Sequence, residues 1–283
     1  MNEFNTTFQL SNGISIPSIG FGTWQTPDGE TAVKAVTAAL KKGYRHIDTA
    51  AIYQNEESVG RAIQNSGLSR QDIFVTSKLW NNARGYKKTM AAFEETLNRL
   101  ALDVLDLYLV HWPAKDGHTK EWQELNLSTW RAMEELYQKG KIRAIGVSNF
   151  LVHHLHPLME QAEIQPMVNQ IEFHPGYMQE EVVQFCKEHQ ILVEAWSPLG
   201  TGKMLNHETL KKLAAKYQKS VAQLCIRWCL QNGTLPLPKS VTPERIIENI
   251  QVFDFEITAD DMNTINDMAY FGGSGLHPDH VNF

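Results

Sequence analysis

Ile73-Phe74-Val75-Thr76-Ser77-Lys78 and Val104-Leu105-Asp106-Leu107-Tyr108-Leu109-Val110-His111 are two β-prone runs separated by a helical apolar pattern over 89–100. A strand, a helix and a second strand in that order specify a parallel pair joined by a crossover. Working outward, further strands are predicted at 18–21, 45–48, 144–147, 167–171, 192–196 and 235–238, which makes eight with 73–77 and 104–110. Helical patterns fill the intervals at 30–42, 56–65, 127–139, 151–162, 179–188, 208–231 with a break near Lys219-Ser220, and 243–250. Eight alternating units predict an α/β fold closed into a (β/α)8 TIM barrel. Before them, Asn12-Gly13 separates the short runs 7–10 and 14–17, the signal of an N-terminal β-hairpin. After them, 270–283 is Gly-rich and aperiodic, which predicts an irregular C-terminal loop or flap. The rival doubly wound sheet would carry a Gly-x-Gly-x-x-Gly turn for a dinucleotide; here Gly20-Phe21-Gly22 runs on into Thr23-Trp24-Gln25 and the third glycine is missing.

A chain of 283 residues with 42% hydrophobic content suits one barrel domain over 1–283, since this fold typically takes roughly 250 residues. The formal net charge of −6 is modest and Lys and Arg are scattered, so no nucleic acid or anionic membrane partner is expected. No apolar stretch approaches the length of a membrane span, and Met1-Asn2-Glu3-Phe4-Asn5 lacks the basic and apolar regions of a signal peptide. The expectation is a cytoplasmic protein. Three cysteines cannot all pair, and Cys225 and Cys229 lie four apart in a helical pattern, where buried free thiols are expected. No heptad seam requires assembly, so a monomer is expected.

Four polar residues follow three consecutive strand ends: Asp48 and Tyr53, Lys78, and His111. Active sites of this barrel form at the carboxyl ends of its strands, so all four fall on the functional face. Each alone has an ordinary reading as a helix cap, a solvated strand end, a half-buried aromatic or a hydrogen-bonded core histidine. Together, a phenol, an ammonium, a carboxylate and an imidazole could lower the tyrosine's pKa and let it pass a proton to a developing alkoxide.

Three longer motifs carry a resemblance. Gly43-Tyr44-Arg45-His46-Ile47-Asp48-Thr49-Ala50, running through Tyr53 and Glu56 to Gly60, resembles the first signature of the aldo-keto reductases. Ile145-Gly146-Val147-Ser148-Asn149-Phe150 resembles the second, and Leu237-Pro238-Lys239-Ser240-Val241-Thr242 with Arg245, Glu248 and Asn249 resembles the third. More narrowly, the chain is similar to bacterial methylglyoxal and glyoxal reductases and 2,5-diketo-D-gluconate reductases. The resemblance implies an NADP-dependent enzyme reducing small aldehydes, ketones or α-dicarbonyls. Tyr53 would be its general acid, Lys78 would stabilise the phenolate, Asp48 would hold Lys78, and His111 would orient the substrate carbonyl.

The resemblance also implies a set of NADPH contacts. Ser148, Asn149 and Gln170 match nicotinamide carboxamide positions, and Trp196 matches an aromatic that stacks on the nicotinamide and is tyrosine in many members. Ser197, Pro198, Leu199, Gly200 and Thr201 match a loop over the pyrophosphate. Lys239, Ser240, Val241, Thr242 and Arg245 fall at a helix start and suit a 2′-phosphate; Glu248 and Asn249 match adenine contacts. Gly22, Thr23, Trp24 and Asp48 complete the cofactor set. Trp24, Trp80 and Trp112 would wall the substrate pocket with Tyr53 and His111, and His277 and His280 in the tail could reach bound substrate. Two other classes of function remain open. A metal-dependent hydrolase could use Glu172 and His174 with His153, His154 and His156, although the three histidines are predicted on a helix away from Glu172; no metal is expected. A cofactor-binding sensor is the second.

Overall fold

The computed structural model describes residues 6–115 and 121–283; the leader reading of residues 1–5 and part of the stretch after Trp112 lie outside them. A hairpin of β1 (Thr7–Gln9) and β2 (Ser15–Pro17) comes first, pairing Phe8 with Ile16. Its turn is made by Gly13 at φ 84° and by the Ile14 amide donating to Asn12 Oδ1 at 3.1 Å. The turn lies against the amino ends of the barrel strands, where Asn12 Nδ2 donates to the Arg143 carbonyl at 3.0 Å.

The barrel strands are β3 (Phe21–Gly22), β4 (His46–Asp48), β5 (Phe74–Leu79), β6 (Leu105–Val110), β7 (Ile142–Ser148), β8 (Val168–Glu172), β9 (Leu192–Trp196) and β10 (Leu235–Leu237). Each lies parallel to the next in chain order. The seam between β3 and β10 is held by two backbone bonds, Gly20 N–H to Pro236 O and Gly22 N–H to Pro238 O, each 3.0 Å. Proline has no N–H, so at Pro236 and Pro238 this edge can accept but not return a bond. That chemistry explains why the seam is thinner than the other ladders, and it completes the expected (β/α)8 barrel.

Around the strands lie α1 (Glu30–Lys41), α2 (Glu56–Gln64), α3 (Tyr86–Leu100), α4 (Trp122–Gln138), α5 (Val152–Met159), α6 (Glu180–Glu188), α7 (Glu208–Lys216), α8 (Val221–Gln231), α9 (Pro243–Ile250) and α10 (Ala259–Asn266). The break expected near Lys219-Ser220 separates α7 from α8. Ser220 caps α8 by accepting from the Gln223 amide while the Gln223 side chain takes the Ser220 N–H. The sequence reading missed α10, whose apolar face is narrow: only Asp261 and Ile265 are buried on it. Strands β5 and β6 are buried along their whole length, and α3 covers them with Phe93 and Leu97, the Phe93 ring 5.2 Å from Tyr108. The aperiodic tail is not loose. It crosses the carboxyl ends of the strands, Ser274 Oγ donating to Glu172 at 2.6 Å and Lys115 Nζ to the Asp279 carbonyl at 2.7 Å. Cys225 and Cys229 are buried free thiols, as expected, and so is Cys186. Among the described residues no helix is long and apolar enough to cross a membrane.

Gly20 permits the seam: a Cβ there would lie 2.6 Å from His46 Nδ1, beside the Leu237 side chain. Gly20→Val should therefore lower stability by about 1–3 kcal/mol through overpacking, seen as a lower urea midpoint with the slope of the transition unchanged.

Candidate active site

Register brings the four expected catalytic residues together. β4 pairs with β5 so that Asp48 opposes Thr76, and Lys78 lies two residues further along β5, on the same face. Lys78 Nζ is fully buried and donates to Asp48 Oδ1 at 2.7 Å, to the Thr49 carbonyl at 2.9 Å and to Tyr53 Oη at 3.4 Å. Tyr53 ends a 3-10 turn, Ala51–Tyr53, that follows β4, and its ring meets the His111 ring edge-on at 5.7 Å. His111 follows β6, its amide donating to the Leu79 carbonyl at 3.2 Å.

Burial pulls the Lys78 ammonium down, but Asp48 and the nearby Tyr53 oxygen outweigh it and raise its pKa overall. Tyr53 corrects the sequence reading. Burial raises its pKa, and the lowering by Lys78 is partly offset by Asp48, so the net direction is up. An ammonium whose charge is largely met by a carboxylate 2.7 Å away cannot cancel the full desolvation of a phenolate. Tyr53 thus keeps its proton across the neutral range. His111 is held well below the usual imidazole range by burial and then by Lys78, so its ring is neutral at pH 7.

A second set of contacts runs from this cluster across the barrel. Gln170 on β8 donates from Nε2 to Asp48 Oδ2 at 2.9 Å and to Glu194 Oε2 on β9 at 2.7 Å. Asn149, at φ 63°, donates from Nδ2 to the His111 carbonyl at 3.0 Å and accepts from Trp196 Nε1 at 2.8 Å. Ser148 Oγ donates to the Gln170 carbonyl at 2.8 Å. The sequence reading missed Glu194. The signal was there, a lone carboxylate in the apolar strand run 191–196.

Most of these residues border one cleft of about 690 Å³ at the carboxyl ends of the strands. Of the expected catalytic and substrate residues, Asp48, Tyr53, His111, Trp24, Trp80 and Trp112 line it, while Lys78 lies beneath its floor. Of the expected cofactor residues, Gly22, Ser148, Asn149, Gln170, Trp196, Ser197, Pro198, Leu199, Thr201, Lys239, Ser240, Arg245, Glu248 and Asn249 line it too. Thr23, Gly200, Val241 and Thr242 lie off its wall. The Thr23 hydroxyl turns away to the Asp48 carbonyl at 2.9 Å, the Thr242 amide turns to Ser240 Oγ at 3.1 Å, and Val241 is exposed. Lys239 Nζ reaches the Gln25 carbonyl at 3.2 Å. Arg245 is exposed, with no ion-pair partner among the described residues.

Wall residues that were not foreseen include Ile52, Leu205, the start of α8 at Ser220, Val221 and Ala222, and the tail residues Leu276 and Phe283. Phe283 stacks on Trp80 at 5.5 Å and meets Trp112 edge-on at 5.3 Å, which no local sequence pattern announces. His277 and His280 are not on the wall; they stack on each other at 4.8 Å. His153 and His154 gather with Asp279 and not with Glu172. The Leu151 amide donates to His154 Nδ1 at 3.1 Å, so the proton of the neutral ring is on Nε2, 3.2 Å from Asp279 Oδ1. That nitrogen carries a proton and makes no hydrogen bond to the carboxylate among the described residues, so it offers no lone pair to a cation. Glu172 and His174 do approach each other, at 3.4 Å, but both Glu172 oxygens take hydrogen bonds from Ser274.

A (β/α)8 barrel with an aspartate, a tyrosine, a lysine and a histidine under one long cleft defines the structural class. The sequence profile of the Aldo/keto reductase family matches residues 18–269, and the chain belongs to that family. It is 51% identical over 277 residues to the glyoxal reductase of Bacillus subtilis, covering 98% of both chains. It is 40% identical over 282 residues to the methylglyoxal reductase DkgA of Escherichia coli, again covering 98% of both. Among solved structures, a mutant of Gox0644 in complex with NADPH superposes with a TM-score of 0.91 at 41% identity, over 98% of this chain and 99% of that one.

His46, two residues before Asp48, is fully buried with Nε2 2.9 Å from Thr76 Oγ1; burial and then Lys78 push its pKa down from 6.5 to about 3. Between those values the unfolded chain binds a proton that the folded protein does not, so stability falls as pH drops below about 6.5. His46→Gln should remove about 2 kcal/mol of the stability lost between about pH 8 and pH 5, measured as the difference in urea midpoints at the two pH values.

Proposed function

We propose that the protein is an NADPH-dependent oxidoreductase that reduces small aldehydes, ketones and α-dicarbonyls such as methylglyoxal to alcohols. The observation that carries the reading is the Lys78 ammonium, buried with Asp48 and 3.4 Å from the Tyr53 hydroxyl on the cleft wall. The names of the relatives at 51% and 40% identity support the substrate class, and the NADPH complex of the neighbour supports the cofactor.

The residues present suit NADPH. Both hydrogens of Gln170 Nε2 are taken by carboxyl oxygens of Asp48 and Glu194, which leaves Oε1 as an acceptor for a carboxamide N–H. Ser148 and Asn149 flank it, and the Trp196 ring offers an aromatic face on the same wall. Lys239 and the unpaired Arg245, with Ser240, supply cations and a hydroxyl suited to a 2′-phosphate. When bound, NADPH supplies the hydride. Tyr53 donates its phenolic proton to the carbonyl oxygen, and the neutral His111 ring offers a second N–H to the same oxygen as charge develops there. Lys78 stabilises the phenolate left behind, and Asp48 keeps Lys78 charged and fixed. Trp24, Trp80, Trp112 and Phe283 exclude water around the carbonyl. An acid that keeps its proton in the resting enzyme is ready to give it, and the pull of Lys78 acts on the phenolate, the form in which it is needed.

Reduction is the working direction. A cytoplasmic monomer is the accompanying reading. The 2,5-diketo-D-gluconate class is the second substrate reading, supported by the resemblance of the sequence motifs. NADPH consumption against methylglyoxal, phenylglyoxal, an aromatic aldehyde, a diketo sugar acid and an aldose ranks these classes. NADPH binding without turnover of any of them would instead indicate a sensor.

Tyr53→Phe should cut kcat by about 10²–10⁴-fold, the usual weight of a positioned acid, with NADPH affinity within a few-fold of wild type; a variant that keeps most of its rate sinks the assigned acid. Arg245→Ala should raise the KM for NADPH about tenfold or more, as expected for a lost charge-assisted contact of roughly 1.5–3 kcal/mol, and leave the KM for NADH nearly unchanged.

A further inference from the structure

Glu194 sits in the middle of β9 with none of its surface exposed. An ionised carboxylate is costly there unless it is paired, and it has no ion-pair partner among the described residues. Its one hydrogen-bond partner is Gln170 Nε2, at 2.7 Å to Oε2; Oε1 has none. The charged groups that face it across the barrel are Asp48 from β4 and Lys78 from β5. Burial first, and then Asp48, push its pKa up to about 8, so the carboxyl is mostly protonated at neutral pH and adds little negative charge beside Asp48.

The geometry gives this buried acid a task. The Gln170 amide has two N–H hydrogens, and Asp48 Oδ2 takes only one of them, at 2.9 Å. With one hydrogen held, the amide plane can still swing about that bond and carry its oxygen away from the cleft. A second acceptor on the opposite side, Glu194 Oε2 at 2.7 Å, stops the swing, because rotation about the Asp48 bond would break this second hydrogen bond. Gln170 lines the cleft, and its Oε1 accepts no hydrogen bond from any described residue.

We propose that Glu194 is a positioning residue for cofactor binding: it clamps the second amide hydrogen of Gln170 so that Oε1 is presented to the cleft as an acceptor for a ligand amide N–H. The same clamp links Glu194 through Gln170 and Asp48 to Lys78 and Tyr53, so cofactor placement and proton delivery share one hydrogen-bonded chain. This rests on the NADPH reading above, and its test separates the two.

NADPH dissociation constants are measured by quenching of tryptophan fluorescence for wild type, Glu194→Gln, Glu194→Leu, Gln170→Ala and the double variant Gln170→Ala/Glu194→Leu, each with a melting temperature. Glu194→Leu removes the acceptor and should weaken NADPH binding about tenfold. Glu194→Gln keeps a carbonyl oxygen in place and should bind within about threefold of wild type. In the Gln170→Ala background, Glu194→Leu should cost nothing further, whereas a role in general packing would cost the same in both backgrounds. Should the Leu variant not fold, Glu194→Thr carries the comparison, being β-branched for a strand yet too short to reach Gln170. A folded Leu or Thr variant that binds NADPH as wild type does overturns the clamp, as does a Gln variant as impaired as Leu. Wild type that binds no NADPH overturns the functional reading and the clamp with it.

Discussion

The ion pair of Lys78 and Asp48, both shut off from solvent at the floor of the cleft, is the constraint on which the rest of the site depends. Moving either charge out of water costs several kcal/mol, and mutual attraction offsets this only with close geometry and further hydrogen bonds. The protein supplies both: 2.7 Å between the charged atoms, the Thr49 carbonyl as a further acceptor for the ammonium, and the Gln170 amide on the other carboxylate oxygen. As a stabilising device the pair is a poor use of two core positions. Its value is that a fixed ammonium with one valence turned toward Tyr53 acts on the phenol in a medium that screens it little.

The barrel is what makes such a pair possible. Parallel ladders in unbroken chain order set Gln170 level with Glu194 and Lys78 two residues beyond the partner of Asp48, close enough for the four side chains to meet inside. The first and last strands are joined by carbonyls of proline and amides of glycine, which allows the close approach a closed ring requires at the cost of half the usual bonds. One rigid face then offers an apolar, tryptophan-walled end beside Tyr53 and His111 and a polar end with cations at the start of α9, as a reactive carbonyl and a phosphate-bearing cofactor each need.

Much of the architecture was legible because it rests on local signals. The apolar strand runs, the helical periods between them, Asn12-Gly13 in the hairpin and the capping pattern of Ser220 and Gln223 each specify their own element. The helix α10 was not legible, since its buried face is too small to leave a period, and the order of the tail was invisible because its anchors at Glu172, Lys115 and Asn81 are 102, 164 and 202 residues away along the chain. Asp48, Tyr53, Lys78 and His111 could be picked out because each stands at a recognisable strand end; Glu194 stood out only as a lone carboxylate in an apolar run, and its task, like the seat of Phe283, lies in partners on other elements.

What the sequence by itself determined was the alternating strands and helices of the barrel, their closure, and the chemistry gathered at one face of it, since these follow from period, order and residue type. Only the tertiary structure decided the sign of the Tyr53 shift, the partnership of Gln170 with both Asp48 and Glu194, and the seating of Phe283 between Trp80 and Trp112. Those depend on burial and on ångström-scale distances between residues far apart in the chain, and both exist only once the strands have closed.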